Sequence, residues 1–489
     1  MDYKQIGLKA GLEIHQQLDT NKLFCECPSK VRNEIPTIIV KRELRPLAGE
    51  TGKIDPAAIF EKKKRKYYLY EVYPDTNCLV EMDEEPPHPV STEALDIALL
   101  ITKMLHCEIP DTIQFMRKTV VDGSNVSGFQ RSALIGMNGF IETSFGKVGI
   151  QTIGLEEDAA RRTAENPDSV TFRLDRLGIP LVEIATAPDC KTPEQVKETA
   201  EKIGLLLRST GKVIRGIGTI RQDINISVTG HPRVELKGVQ ELPQMLKVVE
   251  NEIERQLSAV KSNEKTESHV RNILPDLKSK FLRPMPGASR MYPETDIPLI
   301  KIDKKKIADM EIPESFEEKR KKLEKSGLAN DLVEQLLSSD KLEDFEFFIE
   351  SYPKLNPNLI ATTIVITPKD IKRKLQLPEL DLDRQVLDRI FLGLYIGLGF
   401  CGKDAHWPAI VKESVPAIIE EIAKTKPKGD DLLNIFKKYA LLSDAELKNE
   451  IAKLKEEFKN MPADKLQGVI IGKLRGKADA QRIIELMKK

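Results

Sequence analysis

The patterning of this chain changes once, near residue 313, and the change limits the folds open to it. Before it, short runs such as Phe140-Ile141-Glu142-Thr143 and Lys147-Val148-Gly149-Ile150-Gln151-Thr152 are punctuated by Gly and Asn, and the second alternates in polarity. Alternation puts one strand face in a core and the other outside it. Few helical stretches interrupt these runs. The spacing predicts helices over 92–105, with Ser91 or Thr92 as cap, over 192–210, entered through Thr192-Pro193-Glu194, and over about 243–260. Frequent strands with scarce helices predict a largely antiparallel sheet, not a doubly wound parallel one. After residue 313 amphipathic segments follow one another, beginning with 316–325, 329–338 and 342–351.

A chain of 489 residues is too long for one core. The expected class is α+β: a mostly antiparallel-sheet domain over 1–300, a helical domain over 301–425 and a helical tail over 426–489. The run Lys426-Pro427-Lys428-Gly429 marks the last linker. The polar segment 261–279 has the look of a connector. The strip from Arg283 to Pro298 holds four prolines in sixteen residues, which forbids a regular helix or a central strand. Two Arg, a Glu and an Asp on so stiff a strip favour a functional role.

Chemistry concentrates at Gly11-Leu12-Glu13-Ile14-His15. A strand points residues i and i+2 to one face, so Glu13 and His15 stand side by side. Alone, such a pair is usually a solvated face. Its company is Leu155-Glu156-Glu157-Asp158, Pro180-Leu181-Val182-Glu183 and Gln222-Asp223-Ile224-Asn225. Carboxylate oxygens around a divalent cation, with Lys and Arg nearby, suit phosphoryl transfer. No Gly-x-Gly-x-x-Gly and no Gly-rich phosphate loop is present, so a nucleotide site would be of another type.

Lys+Arg and Asp+Glu are equal at 76, so net charge points to no partner. The run Glu61-Lys62-Lys63-Lys64-Arg65-Lys66 and the Lys-rich C-terminal region are local basic patches suited to phosphates, or simply solvated surface. No apolar run is long enough to span a bilayer, the N-terminus lacks a signal-peptide core, and the six cysteines form no disulfide framework. A reduced, cytoplasmic protein is expected.

Together these motifs resemble one family, the archaeal glutamyl-tRNA(Gln) amidotransferase proteins called GatE, relatives of bacterial GatB. The carrying residues are Gly11 to His15, Leu23-Phe-Cys-Glu-Cys27, Cys78-Leu-Val-Glu-Met-Asp-Glu-Glu-Pro-Pro-His-Pro89 and Gly128-Phe-Gln-Arg-Ser132. They continue with Leu155 to Ala159, Asp175-Arg-Leu-Gly-Ile-Pro-Leu-Val-Glu183, Arg221-Gln-Asp-Ile-Asn-Ile-Ser227, Val234-Glu-Leu-Lys-Gly238, Met291-Tyr-Pro-Glu-Thr-Asp296 and Gly468 to Asp479. The resemblance implies a ligase that phosphorylates the glutamyl side chain of Glu-tRNA(Gln) with ATP and amidates it. The ammonia comes from an asparaginase-like partner, GatD, in a heterotetramer of two GatD and two GatE chains.

By the same resemblance His15, Glu157 and Glu183, with Asp223, are the expected Mg²⁺ ligands. Glu13 and Glu156 stand beside them as ligands or anchors. Lys118, Arg221 and Lys237 are expected on phosphate, and Arg290 on phosphate or the substrate carboxylate. Each has a bland alternative, a structural ion pair. Lys473, Arg475 and Lys477 of the tail are expected on tRNA. Two departures stand out. GatE proteins usually carry an inserted domain resembling one of bacterial aspartyl-tRNA synthetases, and only a short connector fills that interval here. Some GatB relatives pair Cys-x-Cys with a later Cys-x-x-Cys. Here Cys25, Cys27 and Cys78 offer three zinc ligands, with His88 as a candidate fourth; Cys107, Cys190 and Cys401 are expected to be packing residues. The competing classes are GatB of a three-subunit enzyme and a tRNA-binding module without catalysis.

Overall fold

A computed structural model describes residues 2–488 apart from 46–47, 49–51, 55, 65, 240, 286–290, 340, 379, 401–406, 428–430, 460 and 479. Arg290 and Cys401 therefore lie outside the described residues, as do parts of the Lys426–Gly429 linker and Asp479. The chain divides into two compact units, residues 1–315 and 316–489.

The first unit is built on strands. They are β1 (Lys9–Gln17), β2 (Ile38–Arg42), β3 (Tyr67–Val72), β4 (Thr112–Ile113), β5 (Phe115–Thr119), β6 (Phe129–Thr143), β7 (Gly146–Glu157) and β8 (Arg161–Glu165). Then follow β9 (Ser169–Arg173), β10 (Pro180–Thr186), β11 (Ile220–Ser227), β12 (Val234–Val239), β13 (His269–Ile273), β14 (Ser279–Pro284), β15 (Met291–Pro293) and β16 (Ile300–Lys301). Ten of them form one sheet in the order β14-β13-β12-β11-β1-β10-β7-β6-β5-β15. Among these described strands only β12 and β13 run parallel, so the antiparallel expectation holds. Prolines sit where a ladder tolerates them: Pro284 and Pro293 belong to the two edge strands.

Helices α1 (Pro56–Lys62), α2 (Thr92–Met104), α3 (Pro193–Ser209) and α4 (Leu242–Lys261) complete the unit. The last three fall where the periodicity places them. The side chains of Ser91 and Thr192 accept the N–H groups of Ala94 and Gln195 and start α2 and α3. Ala10, Leu12 and Ile14 of β1 pack in one core with Val196 and Ile203 of α3 and Val248 and Val249 of α4. The alternate residues, Glu13 and His15, are thereby turned to the other face of the sheet.

A second sheet, ordered β2-β3-β9-β8, holds its own core of Tyr68, Tyr70, Val72, Phe172 and Leu174. The Tyr68 and Tyr70 hydroxyls donate to the carbonyls of Val121 (3.0 Å) and Gly123 (2.8 Å), fixing the segment after β5. Gly123 has φ +91°, and a Cβ there would meet the Tyr68 ring at 2.2 Å, so only glycine serves.

The structure differs from expectation at two places. Segment 261–279 is not a plain connector, because it contains β13. Only His269 and Val270 of that strand are buried, so its polarity imitates a loop. The first unit also runs to residue 315 and does not stop at 300. Strand β16 pairs with β4, and Lys103 Nζ donates to the carbonyls of Ile307, Ala308 and Met310 at 2.7–2.9 Å.

The second unit is helical. Helices Phe316–Lys325, Asn330–Ser338 and Leu342–Ser351 match the predicted segments to within a residue. Rings of Phe348, Tyr352, Phe391 and Tyr395 pack against one another in tilted and edge-on pairs. Helix Asp431–Lys438 packs Phe436 on Trp407 (ring centroids 5.0 Å apart), whereas Leu447, Ile451, Leu454, Ile470, Leu474 and Ile483 form a separate small core. No helix among the described residues is long and apolar enough to cross a membrane.

Candidate active site

Strand register assembles the site. On β1, His15 stands opposite Glu183 of β10 and Arg221 of β11, and Glu13 stands opposite Asp223. On β7, Glu156 lies opposite Leu181 of β10 and Ser132 of β6. Alternation then brings Glu13, His15, Glu156, Glu183, Arg221 and Asp223 to one face, where Lys118 of β5 and Lys237 of β12 reach in from the flanks. A cavity of about 380 Å³ lies over this face, lined also by Gln130, Asp158, Glu61 and Arg283.

His15 Nε2 lies 3.4 Å from Glu183 Oε2 and 3.5 Å from Glu13 Oε1. Single ligand atoms of His15, Glu156 and Glu183 all fall within 4.8 Å of one another, and so do those of Glu13, His15 and Asp223. Lys118 Nζ donates to Glu156 at 2.6 Å and reaches Glu183 at 3.5 Å. Ser132 Oγ and Gln130 Nε2 each donate to Glu156 at 2.8 Å.

These charges strain one another. Burial and the neighbouring Glu183 push Glu13 up to about 7 and raise Glu156 as well. Burial alone would raise Glu183, but Lys118 and His15 hold it well below the usual carboxylate range. Burial opposes the imidazolium of His15, yet the hydrogen bond and charge of Glu183 outweigh it and lift His15 to about 9. Oxygens of Glu156 and Glu183 lie within 4.8 Å of each other, close enough for the charge of Glu183 to favour a proton on Glu156. The donor set is rich in hard oxygen, with one imidazole, and so fits a divalent cation.

Glu157 does not join His15. It is the neighbour of Glu156 on a strand, so it turns to the opposite face and accepts the Arg131 backbone N–H (3.2 Å) and guanidinium (3.3 Å). Arg131 in turn reaches Glu294 at 2.8 Å, and Arg117 reaches Glu294 at 2.6 Å and Asp296 at 2.9 Å. The end of the proline-rich strip is thus clamped to β5 and β6 through Glu294 and Asp296. Arg221 faces the cavity but grips Asp158 with two bonds of 2.7 and 3.1 Å. Lys237 pairs with Asp223 and, at 2.6 Å, with Glu235.

Asp158, named in the acidic run but given no role of its own from the sequence, is part of the site. It is buried, it accepts Gln17 Nε2 at 2.6 Å as well as Arg221, and Arg176 and Arg221 hold it below the usual range against the effect of burial. It lies two residues after Glu156, so the same-face rule applied to β7 would have found it and excluded Glu157.

Cys25, Cys27 and Cys78 do converge, with Glu81 as the fourth member; one ligand atom from each lies within 4.8 Å of the others. His88 is not part of the group. It is half-buried and meets Glu85 at 3.0 Å. The Cys25 thiol donates to Glu81 at 2.9 Å, and the buried Lys22 ammonium lies 3.5 Å from the same carboxylate. Burial and then Glu81 raise the Cys25 thiol and push Cys27 up to about 11. Cys190 is buried against Thr199, and Cys107 packs beside Gly139. In the second unit Lys473, Arg475 and Lys477 are exposed, alternating with buried Leu474, Gly476 and Ala478.

An antiparallel sheet whose open face carries carboxylates around one imidazole, flanked by cations in a cavity, has the donor types that suit a hard cation and phosphate oxygens. The chain belongs to the GatB/GatE catalytic-domain family, whose model matches residues 8–308. Over its whole length it is similar to the glutamyl-tRNA(Gln) amidotransferase GatE of Sulfurisphaera tokodaii, 36% identical over 639 aligned positions covering 100% of this chain and 99% of the relative. The same protein of Methanocaldococcus jannaschii is 35% identical over 638 positions, with 100% and 99% covered. That of Saccharolobus solfataricus is 33% identical over 647, with 100% and 98% covered. The 639 aligned positions exceed the 489 residues of this chain by 150, in keeping with the missing insert.

Proposed function

We propose that the chain is the kinase and transamidase component of a glutamyl-tRNA(Gln) amidotransferase, converting Glu-tRNA(Gln) to Gln-tRNA(Gln) at the expense of ATP. The observation that carries this is the His15–Glu156–Glu183 cluster beside Lys118, of which His15, Glu156 and Lys118 line the cavity, in a chain collinear with GatE. A carboxylate resists attack by ammonia because oxide would have to leave. Transfer of the γ-phosphoryl group to the side-chain oxygen, with cleavage of the β–γ bridge, makes phosphate the leaving group. Ammonia then forms the C–N bond as the C–O bond to phosphate breaks.

His15, Glu13, Glu156 and Glu183 would hold Mg²⁺, with Asp223 behind them; Glu157 is replaced in this role by Glu156. Mg²⁺ supplies charge neutralisation on the transferring phosphoryl group. Lys118 stands where it can follow that group, being already bonded to Glu156. Arg221, locked by Asp158, and Lys237, held by Asp223 and Glu235, offer preset donors to ATP phosphates. Arg290 remains a candidate for the substrate carboxylate.

The ammonia donor in this proposal is the asparaginase-like GatD, in a complex of two GatD and two GatE chains, and the basic side chains of the tail, including Lys473, Arg475 and Lys477, grip tRNA phosphates in the cytoplasm. Cys25, Cys27, Cys78 and Glu81 would hold one structural zinc, with Lys22 balancing charge. The deciding experiment is ATP hydrolysis by the purified chain with ammonium present. Stimulation by Glu-tRNA(Gln), with Gln-tRNA(Gln) formed, is expected. Equal hydrolysis with uncharged tRNA and no amidated product would refute the function.

A further inference from the structure

We propose that the loop at residues 211–219 is a finger that receives the unpaired 3′ end of the acceptor RNA, an inference that rests on the amidotransferase reading. The base of the loop is rigid. Ile214 N–H donates to Gln17 O at 3.0 Å, and Gln17 N–H donates to Thr219 O at 3.0 Å. The buried Gln16 side chain donates to both Ile214 O (3.0 Å) and Thr219 O (3.3 Å). Leu18 bridges Val213 beside them. The loop is therefore tied to β1, the strand that carries Glu13 and His15.

The tip is the reverse. Ile217 is 102% exposed and stands between Gly216 (φ +127°) and Gly218 (φ +83°). A β-branched apolar residue held wholly in water contributes no burial to this fold. Two left-handed glycines around it let the tip adapt.

Placement supplies the occupant. The loop leads directly into Arg221, Gln222 and Asp223, which line the cavity, while Gln17 at its base holds Asp158 on the cavity wall. The loop does not itself line the cavity, but it is bonded to β1 and leads into β11, which do, so the terminal nucleotides of a carrier whose aminoacyl group lies in the cavity have the loop as a neighbouring contact. Arg208 at the end of α3 and Arg215 in the loop lie close enough for Arg215 to oppose the charge on Arg208, and Lys212 is exposed between them. An apolar tip with adjacent cations matches a base face and its phosphates, the general grammar of single-strand binding.

The test uses the full chain with Glu-tRNA(Gln), ATP and ammonium chloride as donor. The Ile217 side chain is wholly in solvent, so Ile217→Ala leaves folding intact. It is expected to raise KM for Glu-tRNA about fivefold while KM for ATP is unchanged. Arg215→Ala should reduce the slope of log KM against log salt by about one. Ile217→Trp should give fluorescence that Glu-tRNA quenches and ATP does not. Wild-type protein without Glu-tRNA-dependent activity overturns the amidotransferase reading and this proposal with it. Active wild type with unchanged KM in Ile217→Ala and no quenching in Ile217→Trp overturns the finger alone. An Ile217→Ala defect seen only with an amide-hydrolysing partner as donor would make the loop a protein contact, and the proposal would again be wrong.

Discussion

Adjacent carboxylates on one strand offer the sharpest test of the site. Glu156→Gln and Glu157→Gln change the same atom count one residue apart, yet opposite outcomes are expected. Glu156 faces His15 and Glu183, and its acid is raised by burial and by Glu183. A glutamine there copies the shape of the protonated acid, and its amide oxygen can still accept from Ser132. Stability should hold, because one like-charge contact with Glu183 is relieved. Divalent-cation affinity should fall by roughly 10–100-fold, and phosphoryl transfer to Glu-tRNA by about 10²–10³. Glu157 faces the other way and shares the buried Arg131 with Glu294. Glu157→Gln leaves Arg131 half compensated, at a cost of about 2–3 kcal/mol, or a melting temperature roughly 5 °C lower, with turnover largely kept. Thermal melts, Mn²⁺ titration and single-turnover phosphoryl transfer measure all three. A dead but stable Glu157→Gln beside an active Glu156→Gln would refute the placement by strand alternation.

Four further outcomes follow from the geometry. Asp158→Asn should raise KM for ATP about tenfold, since Arg221 loses its bidentate anchor; an unchanged KM measured at fixed tRNA would remove Arg221 from the phosphate site. Stripping metal with a chelator should lower the melting temperature of wild type but not of Cys27→Ser, and equal curves would show that the Cys25–Cys27–Cys78–Glu81 group is structural without zinc. Glu252 is buried, and although burial raises it, Arg255, Gln256 and Ser279 hold it below its ordinary value of 4.5. A depressed carboxyl stabilises the fold above its unfolded value and loses that contribution as pH falls through the folded one. Urea midpoints should therefore drop below pH 4.5 less steeply in Glu252→Gln than in wild type. Removing residues 442–489 should raise KM for Glu-tRNA and flatten its salt dependence, whereas a cut at 429 should also destabilise the unit, because Phe436 packs on Trp407.

Much of this was legible from the residues, for reasons that can be named. The helices 92–104, 193–209 and 316–325 carry both a cap or acidic first turn and an apolar stripe, so local signals agree. The Glu13–His15 pair was legible because period two needs no tertiary knowledge. The same rule, not carried to β7, would have put Asp158 into the site and left Glu157 out. Strand β13 was hidden because a strand burying two residues has no visible alternation. Glu81 was hidden because three cysteines and a nearby histidine outweigh a carboxylate on paper. The turn after Cys78, where its N–H donates to Glu81 at 2.7 Å, brings that side chain to the cysteines.

The cations expected on phosphate pose a last question of physics. Lys118, Arg221 and Lys237 each already have a carboxylate partner, so none waits as a bare charge. A buried cation without a partner would be costly, and a buried carboxylate cluster equally so. Pairing them keeps the cavity tolerable before substrate comes. A nucleotide accompanied by a divalent cation would bring both signs at once: Glu156, Glu183 and Glu13 would offer the oxygens that hold the cation, and Lys118 an ammonium for phosphate. Exchange of partners, with no net burial of charge, is what lets one sheet face carry so many ionised groups. Lys118→Met tests this directly. It should leave Glu156 and Glu183 with a proton in place of the ammonium, preserve the fold, and raise the pH at which divalent cation binds. Cation binding with an unchanged pH midpoint in Lys118→Met would show that the lysine is not the group displaced.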